Sequence, residues 1–165
     1  MGSFRLSREA PGIDRTVRGM GDPFNLDRFV QAQSDDYDRA LAEIRRGRKS
    51  SHWMWYVFPQ LAGLGRSPIS QLYALAGPDE AAAYLKHPVL GPRLREIAQA
   101  VMAVDGRSAH DIFGSPDDVK LHSSATLFAA VSPDGSVFHQ LIARYFGGRP
   151  DEATLRLLRG GAGST

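Results

Sequence analysis

Apolar residues recur at three- and four-residue intervals along most of the chain, which is the spacing of one buried face on an α-helix. Leu26, Phe29 and Val30, with the polar Gln33, make the first such stripe, and Asn25 stands where a cap is needed. After Ser34-Asp35-Asp36, the residues Tyr37, Leu41 and Ile44 make a second stripe, which Gly47 closes. The dense run Trp53–Phe58 has the composition of a strand, but the chain offers no second strand to bond it. A short buried helix capped by Ser50 or Ser51 is expected there instead.

Ser67-Pro68 opens a helix bearing Ile69, Leu72, Tyr73 and Ala76, and Pro78-Asp79-Glu80 opens one that His87-Pro88 stops. Pro92 begins a helix with Leu94, Ile97, Ala98, Val101 and Met102 on one face, ended by Gly106. Ser108 with Asp111 marks a single turn up to Gly114. Ser115-Pro116-Asp117-Asp118 starts a helix to about Val131, and Ser132-Pro133-Asp134-Gly135 is a turn. Val137, Phe138, Leu141, Ile142 and Tyr145 form a stripe ending at Gly147-Gly148, and Pro150-Asp151 starts a last helix through Leu158. Repeats, heptads and alternating strands are missing from the pattern. The expected fold is all-α, an irregular single-domain packing of about eight to ten short helices.

Length and composition agree with that fold. The 165 residues suffice for one domain, and 42% hydrophobic against 23% charged residues is a globular balance. No apolar run is long enough to cross a bilayer. With no cysteine, the chemistry has neither a thiolate nor a disulfide, which fits a reducing, cytoplasmic location. The basic pI of about 9.1 invites a nucleic-acid reading. Within residues 1–19, however, Arg5, Arg8, Arg15 and Arg18 against Glu9 and Asp14 account for the whole net charge of +2. The remainder is neutral. Residues 1–19 read as a disordered extension or a mis-assigned start, with Met20 as the alternative start. The helical domain is then 20–159, and 160–165 a frayed tail.

Three segments carry a family resemblance: Asp22-Pro23-Phe24-Asn25-Leu26; Lys49-Ser50-Ser51-His52-Trp53-Met54-Trp55 with Phe58-Pro59-Gln60; and Ile112-Phe113-Gly114-Ser115-Pro116-Asp117-Asp118-Val119-Lys120. From about Met20 to Leu158 the chain resembles the mostly bacterial domain-of-unknown-function 1810 family. The resemblance implies one all-helical domain in bacterial cytoplasm and brings no catalytic residue with it. Some members carry a calpastatin label, which describes an extended inhibitor segment and does not suit a packed helical domain. The leader is a departure from the family pattern.

Candidate chemistry lies in three places. Gly63-Leu64-Gly65-Arg66-Ser67 precedes a helix, where convergent N–H groups, a guanidinium and a hydroxyl can hold an anion. An ordinary capped connection uses the same residues. Upstream, Lys49, Ser51, His52, Trp55 and Gln60 combine a charge, a titratable imidazole and a stacking indole. On a helix His52 and Trp55 share a side and can face one cavity, with His52 as acid/base, while the other reading places His52 and both tryptophans in the core. The third place holds Asp117, Asp118, Lys120, Ser123 and Ser124, where acids in a first turn also serve the helix dipole.

The histidines lack the spacing of a zinc site, so no metal and no cofactor is expected. Arg39, Arg45, Arg46, Arg48 and Lys49 can touch phosphates, but a neutral domain without a recognition motif disfavours nucleic acid. The reading is a domain that binds a small nucleotide-like or phosphorylated anion through Lys49, Ser51, Trp55, Gln60, Gly63, Gly65, Arg66, Ser67 and Lys120, with His52 available for metal-independent hydrolysis or group transfer. The alternative is a non-catalytic protein-interaction module with the aromatic segment as its core.

Overall fold

The computed structural model describes residues 21–163, so the leader expected at 1–19 lies outside the described residues. Ten helices and no strand occur among them. They are α1 (Asp27–Gln33), α2 (Tyr37–Arg45), α3 (Met54–Val57), α4 (Pro68–Leu72), α5 (Pro78–Lys86), α6 (Leu90–Met102), α7 (Ala109–Phe113), α8 (Asp117–Ala130), α9 (Val137–Tyr145) and α10 (Glu152–Gly163). The last extends to Gly163, beyond the Leu158 through which the sequence pattern carries it.

Two helices organise the rest. In α8, Leu121 and the whole run Ser123–Ala129 are buried, because α5, α7, α9 and α10 all pack against it. A helix whose small and apolar residues are buried on all sides, as here from Ser123 to Ala129, has to be enclosed in this way. The second organiser, α6, has a one-sided stripe of Leu94, Ile97, Ala98 and Val101, and it packs against α2, α5 and α9. Pro92 falls in its first turn, where an intrahelical N–H is not required. Gly91 lets that turn approach the end of α5, since a Cβ there would sit 2.1 Å from the Leu85 carbonyl oxygen.

The caps show where local pattern decides and where it does not. Ser67 caps α4 by accepting from Ser70 N, and Ser108 with Asp111 forms a complete capping box on α7. Asn25 does not cap α1. It occupies the left-handed region at φ 55°, and the Asp22 carboxylate accepts from Leu26 N at 2.7 Å and Asp27 N at 3.0 Å instead. Each carboxylate oxygen takes one orphan N–H group, and the negative charge suits the positive end of the helix dipole. Arg28 then fastens α1 to the body, donating to Leu72 O, Ala74 O and the buried Glu80 carboxylate. Gly47 closes α2 as a Schellman motif: Gly47 N donates to Ile44 O at 2.8 Å, Arg48 N donates to Glu43 O at 3.1 Å, and the glycine sits at φ +84°.

Candidate functional site

Chain geometry after Gly47 is set by one buried acid. Glu43 faces inward on α2 beside Ala40 and Ile44, and its carboxylate accepts from Ser50 N (2.8 Å), Ser51 N (3.0 Å), the Ser51 hydroxyl and the Trp53 indole N–H (2.9 Å). Burial pushes the Glu43 carboxyl up, but these hydrogen bonds, led by Ser51, outweigh it and hold the pKa at about 2. Ser50 and Ser51 therefore serve Glu43 and do not cap α3, whose first turn has no side-chain cap. Sequence reading missed Glu43. Its only signal is an acid on the apolar face of α2, level with Ala40 and Ile44.

Trp53 is fully buried against Phe58 and Phe113, and the Lys49 ammonium lies 4.9 Å from its ring centroid. Lys49 is itself nearly buried, at 6% side-chain exposure, and pairs with Asp117 at 2.8 Å while also donating to Ser51 O. Asp117 is shared: its other oxygen faces the Lys120 ammonium at 3.7 Å, and Lys120 lies 5.0 Å from the centroid of the half-buried Trp55. The structure thus brings Lys49, Ser51, Trp55 and Lys120 into one network. Ser124, one turn beyond Lys120, has a buried hydroxyl without a hydrogen-bond partner among the described residues.

Other candidates stand apart from that network. His52 precedes α3, is exposed, and is not a core histidine; among the described residues only its carbonyl is engaged, by the Tyr56 hydroxyl at 3.2 Å. Gln60 uses its backbone carbonyl to bind Leu75 N. In the glycine-rich loop, Gly63 (φ +103°) lies against Leu157 and Gly65 against Ser70. Ser67 is committed to Ser70, Arg66 is exposed, and α4 has only five residues. Among the described residues no hydrogen bond, ion pair or ring contact joins this loop to Lys49, Trp55 or Lys120.

The concave surface beside the network is basic. A cleft of about 430 Å³ is lined by Arg48, Lys49, Arg107, His110, Asp111 and Gly114, with Ile112 and Phe113 on its floor. Its one carboxylate is occupied: Asp111 accepts from Ser108 N, which lowers its pKa. His110 lies 3.4 Å from Asp118 on α8. No hydrogen bond or ion pair engages the guanidinium of Arg48 or of Arg107 among the described residues. Arg107 and His110 escaped the sequence reading because only the Gly47 turn brings them beside Arg48. Among the described residues, no group of three metal-ligating side chains comes together, and no helix is long and apolar enough to cross a membrane.

Fold and surface together define an all-helical domain with a basic cleft at the end of α2. The chain belongs to the family described as "Protein of unknown function (DUF1810)", whose model matches residues 23–158. It is similar to the conserved hypothetical protein Rv1873 from Mycobacterium tuberculosis, known from a crystal structure at 1.38 Å: 51% identity, 84% of this chain and 99% of that one covered, TM-score 0.82. No curated protein matches the chain.

Proposed function

We propose that this protein binds a small phosphorylated or nucleotide-like anion in the cleft between the Gly47–Lys49 turn and α7. The observation that carries the reading is the pair of arginines, Arg48 and Arg107, lining one cleft of about 430 Å³ whose only lining carboxylate is already used in a capping box. Guanidinium forks suit phosphate oxygens, and the volume suits a small ligand. Lys49 lines the same cleft, but its ammonium is paired with Asp117, and the Asp117–Lys120–Trp55 network holds it in place as part of the frame. Binding is the extent of the proposal, because His52 is not among the cleft's lining residues.

Thermal unfolding with inorganic phosphate and with AMP at millimolar concentration tests it. A ligand at a hundred times its Kd stabilises by about 2.7 kcal/mol, a readily measured rise in Tm. The double variant Arg48→Ala/Arg107→Ala is expected to lose the rise, and His52→Ala to keep it. No rise with either ligand, or a rise that survives the double variant, contradicts the proposal.

A further inference from the structure

We infer that the ligand carries two or more linked phosphate groups lying on both sides of Arg107, an inference that rests on the anion-binding reading above. Arg107 is a wall of two clefts: the one of about 430 Å³ with Arg48, and a second of about 620 Å³ with Arg45 and Arg46. What makes this possible is Gly47. A Cβ on it would stand 3.3 Å from Arg107 Nε, so the Arg107 side chain packs across the glycine, where it lines both clefts.

Arg46 and Arg48 flank the same glycine, two residues apart, a step of about 7 Å at most. Arg46 lines one cleft and Arg48 the other, each with Arg107, so one molecule spanning Arg107 would meet both. The larger cleft also contains two carboxylates: Glu96 accepts from the Tyr37 hydroxyl, and the exposed Asp105 lies 3.6 Å from Arg144, so Arg45, Arg46 and Arg107 outnumber the acids there. Nor are Arg46 and Arg107 needed to neutralise helix ends. The last carbonyls of α2 are taken by the Schellman turn, and Arg144 donates to Met102 O and Val104 O at the end of α6.

Calorimetric titration of the full chain with orthophosphate and with tripolyphosphate, at one ionic strength, tests the inference. Tripolyphosphate is expected to bind at least about tenfold tighter, roughly 1.4 kcal/mol. Arg46→Ala is expected to reduce that ratio to below about threefold, roughly 0.65 kcal/mol. Arg159→Ala, which removes the same charge from α10, is expected to keep the ratio. Orthophosphate binding with no gain for tripolyphosphate, or an equal fall in both variants, overturns the inference and leaves the anion-binding reading standing. Absence of binding by either ion overturns both. Tighter binding of a single-stranded oligonucleotide than of tripolyphosphate overturns it in favour of a nucleic-acid surface.

Discussion

Removing the Glu43 carboxylate leaves the Trp53 indole N–H buried without an acceptor and frees the Ser50 and Ser51 N–H groups. Glu43→Ala is therefore expected to destabilise the fold by on the order of 3 kcal/mol, measured by chemical denaturation. The sign of the pH dependence follows from a folded pKa of about 2 against an ordinary value of 4.5. A depressed carboxyl stabilises above its ordinary value, and the contribution fades as pH falls toward the folded value. The stability gap between the wild type and Glu43→Gln should be widest above pH 4.5 and narrow toward pH 2. The two tryptophans should also separate. Trp53→Ala, at a fully buried ring, is expected to cost about 3 to 5 kcal/mol. Trp55→Ala, half-buried under Lys120, should cost on the order of 2 kcal/mol. Their type and rarity were visible in the sequence, but the sequence could not say which of the two was sealed, because that depends on α8 supplying Lys120 and α7 supplying Phe113.

Helix boundaries carried by local chemistry were legible. Ser67, Ser108 with Asp111, and Gly47 act where the pattern placed them, since each bonds within its own turn. Asn25 was misread because Asp22, four and five residues before the N–H groups it accepts from, does the capping, and the Ser50/Ser51 pair because Glu43, seven and eight residues back, claims both. Elements also meet at points that no periodicity reveals. Gly91→Ala would drive a methyl into the Leu85 carbonyl between α5 and α6. It is expected to cost about 3 kcal/mol or more by urea denaturation. Gly47→Ala should cost only about 1 to 2 kcal/mol for its left-handed backbone. It should also displace Arg107 and weaken phosphate binding, measurable by titration of the folded variant.

At the scale of the whole molecule, net charge is a poor guide to where an anion would sit. The +2 resides in residues 1–19, and the neutral remainder still gathers Arg45, Arg46, Arg48 and Arg107 around one glycine turn. Composition could not show this, because Arg107 arrives from beyond α6. The Gly63–Ser67 loop was the more recognisable anion motif in sequence, yet the Ser67 hydroxyl is committed to Ser70, Gly63 lies against Leu157 and Gly65 against Ser70. Because the proposed cleft is open, phosphate affinity should fall as sodium chloride is raised past about 0.1 M, where screening reaches roughly 10 Å. The decisive measurement is an NMR amide-shift titration of the isotopically labelled chain with inorganic phosphate. Shifts confined to residues 47–49 and 107–114 are the predicted result, and shifts centred on residues 63–67, or none at all, would contradict it.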